Sequence, residues 1–348
     1  MKIALLNDSH FGARNDSSLF LDHFVSFYEN VFFPYCKENG VNTIIHLGDF
    51  FDRRKYINFN TLSLVKEKVI DKFVDFDIHL ILGNHDSYFK NTLKVNSPTE
   101  LLSFYDNIKI YENAKDVNFD GTNICLVPWI TPESHDDTMK VLKSSTSSIV
   151  CGHFELNGYE VFRGVKFRGG LEDKFLKRFE MVLSGHFHSK YSQNNVHYLG
   201  TQYQMTFSDL NDQKGFHVLD TETRQLEFIE NPDRMFYSLE YDDRNDIDLS
   251  QLDETYTNKY VKVIVLNKNN SNLFEKYIDK IYNLDVADLS VVEDFSASEN
   301  SGTNVDLHKD TIDIIFEEVD NLETVLDKTE LKKNLKLLYM EALNNESK

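Results

Sequence analysis

Five apolar runs in this sequence stop abruptly at Asp, Asn or His: "KIALLNDSH" (2–10), "NTIIHLGDFFD" (42–52), "HLILGNHD" (79–86), "SSIVCGHF" (147–154) and "MVLSGHFH" (181–188). Runs of this length and β-branched content read as buried strands, and residues at their C-terminal ends fall where strand gives way to loop. One such ending is ordinary, because Asp and Asn cap helices and favour turns. Five in one chain, four of them with Gly before the polar residue, form a constellation, since Gly lets the backbone turn sharply and approach an ion closely. Within "DSH" and "HFH" the polar residues stand at i and i+2, a spacing that aims both side chains of an extended segment the same way.

The segments between these runs carry helical periodicity. Residues 18–38 read as a helix, and 60–74 as another with Leu62, Val65, Val69 and Phe73 on one face. Strand, helix, strand, helix, strand implies parallel pairing with right-handed crossovers. "NSPTE" (96–100) reads as a helix start, with Ser97 as N-cap, Pro98 in the first turn and Glu100 closing a capping box. Short strands with turn residues between them follow as far as "QLEFIEN" (225–231). The expected fold is α/β, two mixed β-sheets with helices outside. Near Pro232 the pattern breaks, and 259–266, 272–283 and 287–293 read as a small βαβ unit. "SASENSGTN" (296–304) is a linker by composition, and beyond it two amphipathic helices are marked by Ile312, Ile315, Phe316, Val319 and Leu322, then Leu331, Leu335, Leu338 and Ala342. The domains expected are 1–235, 236–295, a linker 296–304 and a helical segment 305–348.

Charge bears on the partner. A net charge of −20 argues against a nucleic-acid ligand, because binding to a phosphate backbone relies on Lys and Arg. The distribution weakens that objection: residues 242–348 hold 24 acidic and 12 basic side chains, or −12, which leaves −8 for residues 1–241. Residues 160–190 are locally positive, with Arg163, Lys166, Arg168, Lys174, Lys177, Arg178 and Lys190 against four acids. Cys36, Cys125 and Cys151 are too few and too widely spaced for a disulfide framework or a thiolate zinc site and read as buried apolar residues in a reducing cytoplasm. The longest apolar runs fall short of the about 20 residues a membrane span needs, and no secretory signal opens the chain, so a cytoplasmic protein without a membrane partner is expected.

Asp8, His10, Asp49, Asn84, His153, His186 and His188 make an oxygen and nitrogen donor set without thiolate, suited to two divalent ions, Mn²⁺, Mg²⁺, Fe²⁺ or Zn²⁺. His46 and His79 lie inside strands, and His23 and His217 outside the motifs; these four read as structural. Asp52 reads equally as a turn cap or a site residue, and Arg53, Arg54 and Lys55 as solvated charge or a phosphate contact.

Taken in order, Asp8-x-His10, "GDFFDR" (48–53), "GNHD" (83–86), "GH" (152–153) and "GHFH" (185–188) resemble the calcineurin-like metallophosphoesterase superfamily. The resemblance implies a four-layer sandwich in which Asp8, His10, Asp49 and His188 hold one metal and Asp49, Asn84, His153 and His186 the second, Asp49 bridging. It implies His85 as the group that contacts the reacting phosphate and protonates the leaving oxygen, with Asp86 orienting it. Arg54 and Asp86 depart from the "GDxVDRG" and "GNHE" of protein phosphatases. The order of a phosphoesterase domain, a βαβ capping unit, an acidic linker and helices is similar to the SbcD-like (Mre-type) recombination and repair nuclease subunits, the tailed-phage version above all. That likeness implies a Mn²⁺-dependent DNA exonuclease and endonuclease, a homodimer, and a coiled-coil SbcC-like (Rad-type) ATPase docked on the C-terminal helices. A small-substrate phosphodiesterase or phosphatase, and a metal-free protein-binding scaffold, are the competing readings.

Overall fold

The computed structural model describes residues 1–162 and 164–293, together with scattered helical residues between 312 and 335. The expected linker at 296–304 lies outside the described residues, as do Leu322, Leu331, Leu338 and Ala342. Two compact units result: 1–205 with 212–233, and 206–211 with the chain from 234 onward.

The first unit holds two six-stranded sheets. One runs, edge to edge, Leu226–Glu230, Gly215–Asp220, Lys2–Leu6, Thr43–His46, Asp77–Ile81 and Ile108–Tyr111. Its last four strands are mutually parallel, as the alternation of strand and helix requires, while the first two join antiparallel. The other sheet runs Tyr191–Gln193, Val196–Tyr198, Met181–Gly185, Ile149–His153, Thr122–Val127 and Lys115–Phe119, parallel at its centre and antiparallel at both edges. Ile3, Leu5, Ile45 and Ile81 from one sheet pack with Ile124, Leu126, Cys151 and Leu183 from the other, so the main core is the space between the sheets. All three cysteines are buried and free.

Outside the first sheet lies a helical stretch from Ser18 to Asn39, interrupted by one wide turn at Tyr28–Phe32. Its aromatic residues reach the sheet's outer face: the Phe32 ring lies 5.1 Å from that of Phe216. The helix expected at 60–74 is a helix only over Phe59–Lys68 and tightens to a 3₁₀ stretch at Ile70–Asp75, still burying Val65, Val69 and Phe73. At Ser97–Leu102 the cap is Asn96, not Ser97: the Asn96 side chain accepts the Thr99 N–H at 2.8 Å while donating to Leu93 and Glu112, so a buried, braced residue outcompetes the serine.

In the second unit Phe236–Asp242, Tyr260–Asn267 and Asp288–Glu293 form a three-stranded parallel sheet. Helix Ser271–Tyr282 joins the last two strands and buries Phe274, Tyr277 and Ile281 against Tyr241, Val261, Val263 and Val265. The turn Phe207–Asp209 belongs to this unit through the Phe207 ring, 4.7 Å from that of Phe236. Ile312 and Val319, helical residues of the tail, are buried. Among the described residues no helix is long and apolar enough to cross a membrane.

Candidate metal centre

The ends of Lys2–Leu6, Thr43–His46 and Asp77–Ile81 meet the ends of Ile149–His153 and Met181–Gly185 along one rim of the sandwich. Backbone bonds bind these ends together: Asp8 N–H donates to Gly48 O at 2.9 Å and His10 N–H to Asp49 O at 3.1 Å. Asp8, His10, Asp49 and His186 all take positive φ, a backbone state that non-glycine residues adopt at some expense and that gathers at functional sites. At Gly83 a Cβ would lie 2.1 Å from Asp49 Oδ1, and at Gly48, itself at φ 90°, 2.8 Å from His153 Nδ1. Those two positions are closed to any side chain, Gly83 by the Asp49 carboxylate and Gly48 by the Gly83 backbone and the His153 ring.

All seven residues expected to hold metal come together. Asp8, His10 and His188 form one group of converging donor atoms, and Asp49, His153 and His186 another. Asn84 joins the second group: its Oδ1 lies 2.9 Å from both His153 Nε2 and His186 Nδ1. Asp49 Oδ2 faces a histidine of each group, 3.8 Å from His10 Nε2 and 3.4 Å from His153 Nε2, while its Oδ1 accepts the His85 backbone N–H at 2.7 Å.

The protonation pattern tests whether cations fit here. His153 Nδ1 can only donate to the Leu47 carbonyl, 2.7 Å away, so in the neutral ring the Nε2 lone pair points at the oxygens of Asn84 and Asp49. Acceptor facing acceptors is repulsive unless a proton or a cation stands between them. In the other group the Nε2 atoms of His10 and His188 lie 3.2 Å apart. Carboxylates, an amide oxygen and imidazoles without thiolate fit Mn²⁺, Mg²⁺, Fe²⁺ or Zn²⁺. Left to protein groups alone, protons take the place of cations. Burial by itself would lower His10 and His153, but Asp52 with Asp49 in the first case, and Asp49 in the second, outweigh it and push both to about 9. Asp49 is held well below the usual carboxylate range by His153, His85 and His10 in spite of its burial. Burial, with the charge of His10, keeps His188 well below an ordinary histidine.

One expectation changes. Asp86 does not orient the His85 ring: its carboxylate accepts the backbone N–H groups of Asp49, Gly83 and Phe50 at 2.8, 2.8 and 2.9 Å, which fixes the loop carrying Asp49. The His85 ring is held instead by Nδ1–H donated to the Asp52 carbonyl at 2.5 Å. Asp52 is the residue the sequence left open, and its side chain lies 3.2 Å from His10 Nδ1, steering the other ring nitrogen toward the donor group. Glu155 carries no signal in the sequence; its carboxylate stands 3.4 Å from His186 Nε2. Arg53 is tied to Asp16 at 2.5 Å and Asn15 at 2.9 Å. His46, His79 and His23 are held by Ser9, Tyr111 and Asp233, and His217 is buried.

The family model for calcineurin-like phosphoesterases matches residues 1–190, the span that contains all five strand-end motifs. The chain belongs to the calcineurin-like phosphoesterases. Exonuclease subunit 1 of Enterobacteria phage T4 is 35% identical over 348 residues, covering 98% of this chain and 99% of that one. The SbcD subunit of the SbcCD nuclease is 24% identical in Staphylococcus epidermidis and 22% in Staphylococcus saprophyticus, each over 65% of this chain and 67% of the relative. The likeness to the phage protein extends past the phosphoesterase domain, through the second unit and the tail.

Proposed function

We propose that this calcineurin-like phosphoesterase is a DNA nuclease subunit, cleaving phosphodiester bonds as an exonuclease and endonuclease beside a second subunit. The observation that carries the chemistry is Asp49 Oδ2 facing a histidine of both donor groups, an arrangement that gives two cations a common ligand. The full-length similarity to a phage exonuclease subunit supports DNA as substrate and a multi-subunit enzyme. Manganese is the ion proposed ahead of magnesium, iron and zinc. The partner proposed is a coiled-coil ATPase, and the protomer pairs with a second copy.

Asp8, His10, Asp49 and His188 would hold one ion, and Asp49, Asn84, His153 and His186 the other. When bound, the pair supplies Lewis acidity toward the phosphate and a water acidic enough to act as nucleophile. The chain's own residues do the rest. Asp86 ties the Asp49 loop, through the amides of Asp49 and Phe50, to the Gly83 amide of its own loop, so the shared carboxylate keeps its place. His85, outside the ligand set, carries its Nδ1–H to Asp52 and turns Nε2 outward, from which the imidazolium protonates the departing deoxyribose oxygen. Burial lowers the His85 pKa, so the imidazolium is a stronger acid while a smaller fraction of the rings carries the second proton.

Linear duplex DNA, single-stranded DNA and bis(p-nitrophenyl) phosphate, assayed side by side with Mn²⁺ and with EDTA, test the reading. Mn²⁺-dependent cutting of DNA is expected. Hydrolysis of the aryl diester without any cutting of DNA would favour a small-substrate phosphodiesterase, and bound metal without hydrolysis of either would favour a scaffold.

A further inference from the structure

We propose that a cavity beside the second donor group, walled by Trp129, is the site that receives a nucleobase of the substrate. This rests on the nuclease reading and deepens it. The cavity has a volume of about 230 Å³, and His153 forms part of its wall, so it opens directly beside the proposed phosphate position. Trp129, Ile130 and Leu171 supply apolar surface, and Glu155 a carboxylate.

The Trp129 ring stands next to both imidazoles of that group, its centroid 5.2 Å from His186 and 5.9 Å from His153. Its backbone N–H donates to Leu82 O at 2.7 Å, which ties it to the loop bearing Asn84 and His85. Trp129 keeps part of its surface open to solvent. A flat, partly exposed indole one sugar's reach from a phosphate site offers a stacking platform for any base, since every base has a π-face. Every base also presents at least one N–H on its pairing edge, and the Glu155 carboxylate is an acceptor at the cavity wall. The pocket therefore takes bases without demanding one sequence, as a nuclease acting on any DNA requires.

Trp129 is the one tryptophan of the chain, so its fluorescence reports on this cavity alone. The full-length protein in Mg²⁺, which is diamagnetic, is titrated with deoxyadenosine 5′-monophosphate, 2-deoxyribose 5-phosphate and inorganic phosphate. Only the nucleotide should change Trp129 emission at saturation. Trp129→Ala should weaken the nucleotide as an inhibitor of DNA hydrolysis by roughly 5- to 150-fold, the range of one base–aromatic stack, and Trp129→Phe by much less. Inhibition by 2-deoxyribose 5-phosphate should be the same in all three proteins. Equal emission changes from the base-free compounds, or no change from the nucleotide, would overturn the proposal. A protein that cut DNA while the nucleotide left Trp129 unaffected would sink the pocket and keep the nuclease; a nucleotide response without DNA cutting would do the reverse.

Discussion

The carboxylate of Asp86 accepts the backbone N–H of Asp49 at 2.8 Å, across 37 positions of sequence. Its remaining bonds, to Phe50, Phe51 and Gly83, leave both oxygens occupied by amides of the two loops that carry Asp49 and Asn84. Burial, then the Asp49 charge, raise Asp86 to about 6, so the group holds its post against an electrostatic penalty. Replacing one oxygen with an amide NH₂ sets a donor against donors. Asp86→Asn should therefore weaken metal binding by about 10- to 100-fold, as loss of support behind a ligand does, with DNA hydrolysis restored by excess Mn²⁺. An unchanged affinity in calorimetric titration would count against this role.

Asp49→Ala removes the oxygen that faces both donor groups. Each group keeps other donors, yet the shared ligand is gone, and both ions should be lost together with nearly all hydrolysis. Elemental analysis after desalting decides the matter, since two Mn²⁺ per chain would overturn the sharing of Asp49.

Loading the centre should release protons. His10 and His153 sit at about 9 among the protein's own charges, so at pH 7 both hold a proton that a metal must displace. The sign follows: a raised pKa means the protonated ring dominates below about 9, and metal affinity climbs with pH through that range. Titrating Mn²⁺ at pH 7 in buffers of different ionisation enthalpy should show net proton release, and affinity independent of pH between 6 and 8 would contradict it.

The strand-end donors were legible because each lies in a local pattern: an apolar run, in four of the five a glycine, then Asp, Asn or His. Their convergence follows from parallel strands, whose C-terminal ends share one rim. What the sequence concealed is contact between distant segments of unremarkable appearance. Nothing local distinguishes Asp86, which grips backbone, from a carboxylate that orients a ring, and nothing marks Asp52 as the neighbour of His10. Asn96 and Ser97 are equally good caps by composition, and only the bonds to Leu93 and Glu112 choose between them. The strand Phe236–Asp242 leaves no signal in the sequence because its half-exposed "FYSLEYD" lacks an apolar run, and its place depends on pairing with Tyr260–Asn267.

The tail divides into two parts with different consequences. Ile312 and Val319 are each 2% exposed, so deleting residues 305–348 would remove buried apolar side chains worth about 1.5–3 kcal/mol apiece. Farther on, Lys332 meets Asp320 at 2.6 Å and its Nζ lies 5.6 Å from the Phe316 ring centre, surface contacts worth about 0–1 kcal/mol. Removing only residues 327–348 should leave the melting temperature within a few degrees of the full chain and abolish co-purification with the proposed ATPase partner. A large drop in melting temperature would show that this segment belongs to the fold, and unchanged binding would show that it does not dock the partner.

His85 offers the sharpest separation between binding and chemistry. Its backbone N–H goes to Asp49 and its Nδ1–H to Asp52, so the ring is held from two sides, and its edge lies against His10 with centroids 4.8 Å apart. A general acid matters in proportion to how badly the leaving group needs a proton. The deoxyribose oxygen leaves as a strong base; p-nitrophenolate does not. His85→Gln should retain both metals and DNA binding while cutting DNA hydrolysis by roughly 10²- to 10⁴-fold, and should slow bis(p-nitrophenyl) phosphate far less. Equal losses on both substrates would mean that His85 stabilises charge on the phosphate instead of supplying a proton, and loss of metal would place it in the ligand set.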